Sequence, residues 1–353
     1  MNQATPRYAV FFFITVTVAA LLLMALNYTI DPWMYFRDSK FSIDTGQGRH
    51  QNAGIGKHKQ FSILVIGTSL SQNFLATDAE NKFSGEVAVL SIPAGSGKEQ
   101  NLTVANALKY QTLSRVIWEL HPAAFVLDKD AVKTSSFPEY LYDNNPLTDA
   151  YYLYNLTNLK KSLSSLQEIS GKKDIKPRNW KNLYAAEDNE YGCPSLLRMQ
   201  IKKAGMPQQE SDLLDTSNNI ADNIEANIVS LVNAHPDIQF DFFFPPFSKL
   251  YWSLIKEHEP VRYALYLQVA QTAQALLAGK ENTRLYDFRA KEALSGDLNN
   301  YRDLTHYSSA ANKQIISDIA KGDYQATEQG LAVFNAWVSQ YATDDVVQKC
   351  LKK

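Results

Sequence analysis

Cysteine is almost missing from this chain of 353 residues: only Cys193 and Cys350 are present. They have neither C-x-x-C nor metal-ligand spacing, which excludes a zinc module and a thioredoxin-like redox pair. Two arrangements stay open for them, one disulfide in an oxidising compartment or two separate thiols. Charge is also sparse. Charged residues make up 20% of the chain, the net charge is −2, and no basic run exceeds a lysine pair. That excludes the electrostatic footprint of a nucleic-acid binder. Nucleotide loops are missing as well. The glycines of "GQGRHQNAGIGKHK" follow no strand pattern, so a dinucleotide loop fails. "GSGK" lacks the first glycine of a phosphate loop and has no Ser or Thr after Lys98. There are no internal repeats. Aromatic residues, by contrast, are plentiful, with 19 Tyr and 17 Phe, which argues against disorder.

Long apolar runs are rare, and one stands out. "YAVFFFITVTVAALLLMAL", Tyr8 to Leu26, carries no charge. At 1.5 Å per residue it spans roughly the hydrocarbon core of a bilayer. It is longer than a signal-peptide core and no A-x-A site follows, so an uncleaved anchor is the expectation and a cleaved signal the alternative. Arg7 on one side and Arg37, Lys40 and Arg49 on the other leave its orientation open. Trp33, Tyr35 and Phe36 read as interfacial anchors, and residues 37–60 as a polar, glycine-rich loop.

Beyond residue 60 a rhythm begins. Apolar runs at Phe61–Ile66, Val87–Ile92, Ala123–Leu127, Ile238–Phe244 and Thr283–Phe288 predict five strands, the continuous ones buried on both faces. "EQNLTVANALKYQTL", "NIADNIEANIVSLVNAH" and "VRYALYLQVAQTAQALLAG" predict helices between or after them. Alternation of this kind implies an α/β sandwich around a parallel sheet. The expected organisation is a membrane helix over 1–30, a linker over 31–60, an α/β domain over 61–325 with an insertion at about 131–218, and a helical tail over 326–353. The Tyr- and Asn-rich insertion is either a substrate cover or a structural elaboration.

In parallel sheets ligands bind beyond the carboxyl ends of the strands, so reactive side chains just after a strand are the candidates. Ser69 follows the first strand in "GTS". It is either a nucleophile with a helix N-terminus behind it or, like Ser71, a simple N-cap. "PAGSG" after the second strand offers a glycine whose N–H can face a ligand. Asp128 and Ser248 follow the third and fourth predicted strands. "DLTH" follows the fifth. Asp303 and His306 are three apart, so the carboxylate can hold Nδ1 of the ring and leave Nε2 for Ser69; the bland reading is a surface or capping histidine.

Taken together, Gly67-Thr68-Ser69, Phe243-Phe244-Pro245-Pro246 and Asp303-Leu304-Thr305-His306-Tyr307, preceded by an N-terminal anchor, resemble the SGNH (GDSL-like) hydrolases, and within them the membrane-anchored extracytoplasmic bacterial branch. The resemblance covers most of residues 55–320. It implies a flavodoxin-like α/β/α fold, Ser69 as nucleophile, His306 as base, Asp303 as its orienting acid, and an oxyanion hole from the N–H groups of Ser69 and Gly95. Asp128, Ser248 and Trp252 are candidate substrate contacts. The sequence departs from the family in two places: Thr68 replaces the usual Asp, and the third-block Asn has no clear counterpart. Asp128 stands near its place, and an ionised carboxylate cannot donate a hydrogen bond.

Relatives of this branch modify envelope or exported polysaccharides. The resemblance therefore implies an O-acyl esterase or acyltransferase at the bacterial inner membrane, with its domain in the periplasm and a carbohydrate substrate. A membrane protein supplying the acyl group is a candidate partner, and neither metal nor cofactor is expected. The competing readings are a non-catalytic glycan-binding scaffold and, on the anchor alone, a phospholipid or thioester hydrolase.

Overall fold

The structure, a computed structural model, describes residues 5–39, 47–134, 137–143, 145–171, 181, 190–196 and 219–341. The chain forms two compact units, one from Met1–Lys59 with Ser136–Asn179 and one from Gln60–Ser135 with Trp180–Lys353.

The larger unit is built on a five-stranded parallel sheet. Its strands are β1 (Ile63–Ile66), β2 (Val87–Val89), β3 (Arg115–Glu119), β4 (Gln239–Phe244) and β5 (Thr283–Asp287), in the spatial order β2-β1-β3-β4-β5. This is the flavodoxin-like order, with its switch point between β1 and β3. Strands β1 and β2 are buried along their whole length, as expected for a sheet covered on both faces.

The third strand lies eight residues before the predicted run at Ala123–Leu127. Its apolar centre, Val116-Ile117-Trp118, is bracketed by Arg115 and Glu119, which hide it from a search for apolar runs. Arg115 is paired with the buried Asp241 of β4. The predicted strand is instead a short helix, Pro122–Phe125, opened by a proline in its first turn and capped by His121.

The predicted helices are present. In chain order the helices of this unit include Ala76–Glu80, Gly97–Tyr110, Pro122–Phe125, Asn219–Ile224 running through a π-turn into Ser230–Ala234, Lys249–His258, Pro260–Leu277, Ser309–Lys321 and Gly330–Val338. Gly97–Tyr110 begins with a reciprocal capping box between Ser96 and Glu99. The helix Gly330–Val338 belongs to this unit's core: Phe334 is fully buried and its ring packs against Trp252 at 4.8 Å.

In the smaller unit, helix α1 (Thr5–Ile30) contains the apolar stretch. Residues Arg7–Ile30 are long and apolar enough to cross a membrane, and none of the most apolar window is buried in protein. The segment predicted as loop contains a second helix, α2 (Gly48–His58). Its inward residues are Gly48, Gln51, Asn52, Ala53, Gly54, Ile55 and Gly56, so no apolar period marks it in the sequence. A Cβ at Gly54 would collide with the carbonyl groups of Trp33 and Met34, so the glycine permits this close backbone approach. Trp33 and Tyr35 are not interfacial anchors. They are 2% and 6% exposed, in a cluster with Ala53, Leu141 and Tyr152. Asp31 is the hub of that cluster and accepts hydrogen bonds from the N–H groups of Tyr35, Phe36 and Arg37 and from the Tyr152 hydroxyl.

Of the insertion, the described part in this unit includes two helices, α3 (Ala150–Tyr154) and α4 (Leu156–Ile169), joined to turns and irregular segments. Cys193 is disulfide-bonded; Cys350 lies outside the described residues.

Candidate active site

Ser69 and His306 are 237 residues apart in sequence and adjacent in space: Ser69 Oγ lies 2.8 Å from His306 Nε2. On the other side of the ring, Nδ1 is 2.8 Å from Asp303 Oδ2 and 3.0 Å from Oδ1. An ionised carboxylate only accepts, so Nδ1 carries the proton and Nε2 is the acceptor for the Ser69 hydroxyl. All three side chains are half-buried, which leaves the group open to solvent.

The "DLTH" segment makes its own geometry. Asp303 Oδ1 accepts from the backbone N–H groups of Thr305, at 2.9 Å, and His306, at 2.8 Å, which folds the turn that presents the ring. A Tyr301–Tyr307 bridge closes the loop at its base, with Arg302 N–H on His306 O at 3.0 Å. Burial alone would raise the Asp303 carboxyl. The His306 ring hydrogen bond and charge, together with the two backbone N–H groups, outweigh it and hold the carboxyl well below the usual range.

Two amides tie this loop region to the nucleophile turn. Asn73 Nδ2 donates to Tyr307 O at 2.9 Å, and Asn312 Nδ2 to Leu70 O at 3.4 Å. Ser248 Oγ donates to Leu304 O at 2.7 Å while its oxygen caps the helix Lys249–His258 through Tyr251 N–H at 3.1 Å.

The turn after β1 rests on Glu119, the last residue of β3. This fully buried carboxylate accepts from Thr68 Oγ1 at 2.7 Å, from Thr68 N–H at 3.2 Å and from the Ser71 hydroxyl. Burial pushes the Glu119 carboxyl up, against the pull of those donors and of the His306 charge. The serines are therefore not N-caps: Ser69 faces His306 and Ser71 is bound to Glu119. Nor does a long helix start behind Ser69. A single 3-10 turn, Ser71–Asn73, intervenes before the helix Ala76–Glu80.

Gly67 makes room for this arrangement, since a Cβ there would sit 2.6 Å from Glu119 Cβ and overlap the Ser71 hydroxyl. Gly67→Ala is expected to destabilise the chain by about 1–3 kcal/mol, the usual range for overpacking. Urea unfolding of the two proteins side by side checks this.

The remaining predicted site residues lie elsewhere. Gly95 does not offer a free N–H. It donates to Ile92 O at 2.8 Å and closes a turn with Pro93 at its second position and Ala94 at φ +52°. Asp128 is on an exposed turn, capping Asp130 N–H at 2.8 Å; its expected place at a strand end vanished with the misplaced third strand. Ser248 and Trp252 are buried, at 0% and 1% exposure, so neither can touch a substrate, although Ser248 holds the histidine loop. The Trp252 ring packs among Phe247, Tyr251, Tyr263, Tyr266 and Phe334.

One residue at this rim, His121, lacks the place and acid partner that single out His306 in the sequence, so the sequence does not mark it as a candidate. His121 follows β3 directly, two residues past Glu119, and Glu119 supports the Ser69 turn. Its Nδ1 accepts the Ala123 N–H at 3.1 Å, which assigns the ring proton to Nε2. Among the described residues no hydrogen-bond partner meets Nε2, and the residue is half-buried. The ring lies against Phe247, with centroids 5.0 Å apart. Burial, then the nearby charges of His306 and Lys133, lower its pKa to about 3, so the ring is neutral at ordinary pH.

In the smaller unit His50 is likewise lowered to about 4, by burial and then by Arg49. Below pH 6.5 the unfolded chain therefore takes up protons that the folded rings refuse, and stability rises with pH wherever the unfolded state binds more protons. As pH falls from about 6.5 toward about 3, stability is expected to decline, and His50→Gln and His121→Gln should each flatten the curve. Urea midpoints taken across that range check the sign.

No family model matches the chain, and no curated protein matches it. Among solved structures, it is similar to one from Streptococcus pneumonia named for a platelet activating factor, at 11% identity. The overlap covers 79% of this chain and 92% of that one, with a TM-score of 0.42, too low for any functional argument.

Proposed function

We propose that this chain is a serine esterase or acyltransferase of the SGNH type that acts on O-acyl groups of a cell-envelope or exported carbohydrate. The observation that carries the reading is the run of contacts from Ser69 Oγ to His306 Nε2 and from His306 Nδ1 to Asp303. In the reaction, Ser69 Oγ attacks the ester carbonyl carbon and its proton passes to His306 Nε2. The tetrahedral oxyanion collapses, the C–O bond to the alcohol breaks, and the departing alkoxide takes the proton from Nε2. A second acceptor then attacks the acyl carbon and gives its proton to His306 Nε2; the bond from that carbon to Ser69 Oγ breaks, and Oγ takes the proton back from Nε2. Water gives hydrolysis and a sugar hydroxyl gives transfer. Asp303 stays ionised throughout and stabilises the imidazolium.

The oxyanion needs donors. The Ser69 N–H has no partner among the described residues, and it is the first. The Gly95 N–H is engaged in its own turn, so the second donor in this reading is His121 Nε2–H, in place of the amide that related enzymes use. A neutral, tautomer-locked histidine donor fits the chemistry of such a hole. The spanning helix holds the catalytic unit at the inner membrane facing the periplasm, where a membrane-bound acyl donor is the expected partner.

The test uses the full chain in detergent with an aryl acetate, then with acetylated and unacetylated oligosaccharides and an acyl donor. Aryl acetate turnover that disappears in Ser69→Ala supports the reading, and the acetylated or deacetylated sugar separates transfer from hydrolysis. A single backbone donor in the hole favours one competing reading, a glycan-binding scaffold. Glycan binding that persists in Ser69→Ala, with no ester turned over, would select it.

A further inference from the structure

Helix α4 of the smaller unit is inside-out. In Leu156–Ile169 the buried residues are polar, namely Asn158, Ser162 and Ser165. The exposed side carries four large apolar side chains, Leu156 66%, Leu163 47%, Leu166 38% and Ile169 55% exposed, beside the polar Thr157, Lys160 and Gln167. A helix on a water-facing surface has the opposite arrangement. We propose that α4 lies at the headgroup–acyl boundary of the bilayer beside α1, with this leucine face against lipid.

The polar side is what attaches α4 to α1. Trp33 Nε1, just past the end of α1, donates to Asn158 Oδ1 at 2.8 Å. One turn further along α4, Ser162 Oγ donates to Asn27 Oδ1 at 2.9 Å. Asn27 Nδ2 in turn donates to Leu153 O at 2.8 Å. Asn158 and Ser162, on the buried side of α4, are thus both held at the C-terminal end of α1, next to its apolar stretch. Half-buried Leu23, Met24 and Leu26 mark where α1 is covered, and Leu21 and Leu22, next along it, are exposed. A small residue at the contact, Ser162, lets the two helices approach closely, as in membrane helix pairs.

The depth is limited. Gln167 and Glu168 share the last turns of α4, and such groups keep a helix at the interface and out of the hydrocarbon core. Exposed Tyr151 and Tyr154 of α3, immediately before it, have the amphipathic character of interfacial aromatics. The occupant is thus lipid, argued from continuity with the spanning helix. The same stripe could seat a second copy of this chain, which is an outcome of the test.

The experiment places p-benzoyl-phenylalanine at Leu163 or Leu166 of the full chain in phosphatidylethanolamine–phosphatidylglycerol vesicles. After irradiation, lipid adducts are read by intact mass. Leu22 of α1 is the lipid-facing reference, and Lys313, 71% exposed on the larger unit, is the aqueous one. The lipid-adduct fraction at both α4 positions is expected within about threefold of Leu22 and about tenfold or more above Lys313, as for a helix at the acyl boundary. A covalent dimer at 163 and 166, or adduct yields no higher than at Lys313, overturns the proposal. If Leu22 also gives none, the membrane reading of α1 falls with it. Should one substitution lose the helical circular dichroism signal, the other position and Ile169 carry the test.

Discussion

His306→Ala is expected to lower kcat/KM toward an aryl acetate by about 10⁴–10⁶-fold, and Ser69→Ala by a similar amount. The reason is geometric. Ser69 Oγ lies 2.8 Å from Nε2, so in the proposed mechanism the hydroxyl loses its proton in the same event as it attacks, and neither group does its part alone. The effects are therefore expected not to add: Ser69→Ala/His306→Ala should be no slower than either single variant. Asp303→Asn leaves a hydrogen-bonding side chain but removes the charge that fixes Nδ1–H. It should cost about 10⁴-fold, with the ring free to take the wrong tautomer. Three variants and one double variant on one ester distinguish a coupled unit from three independently placed side chains.

His121→Phe is expected to lower kcat by about 10²–10³-fold with KM nearly unchanged, the effect of removing one oxyanion donor. Phenylalanine retains the ring that packs on Phe247, so the loss should not reflect a lost contact. His121→Gln, whose amide can donate near the position of Nε2, should recover part of the rate. Both variants also lose or weaken the cap on Ala123 N–H, which is worth about 1 kcal/mol of stability. Melting temperatures therefore accompany the rates. A fall in stability with kcat intact would leave His121 a helix cap only, and the hole would need another donor.

The two loops that bring Ser69, His306 and Asp303 together were legible because their geometry is local. Ser69 follows an uninterrupted apolar strand, and Asp303 and His306 need only the turn that Asp303 itself caps. The third rim loop was not legible, for one physical reason. Arg115 and Glu119 interrupt β3, so the apolar residues after Pro122 resemble a strand in its place, and Asp128 follows them where His121 is the residue just past the true strand. Glu119 is itself informative, since a charged residue at a strand's end is tolerable only where donors converge on it, here Thr68 and Ser71.

Packing roles were harder still. "FFPPFS" reads as a rim loop, but Ser248 is spent on Leu304 O and Trp252 is enclosed by aromatic rings. Gly54 and its neighbours form a helix that has no apolar period to announce it. In α4 the period is visible, Leu156, Leu159, Leu163 and Leu166, but sequence cannot say that it faces outward. Only Asn27 and Trp33, more than 120 residues away, reveal which side is in.

The central claim is that Ser69 is an activated nucleophile. A fluorophosphonate reacts covalently only with a serine whose proton a base removes. The full chain, incubated with excess reagent near neutral pH and digested, is predicted to carry about one label per chain, on the peptide containing Ser69, with His306→Ala slowing the labelling by orders of magnitude. An unlabelled Ser69 in folded protein, or labelling at the same rate with His306 removed, would contradict it.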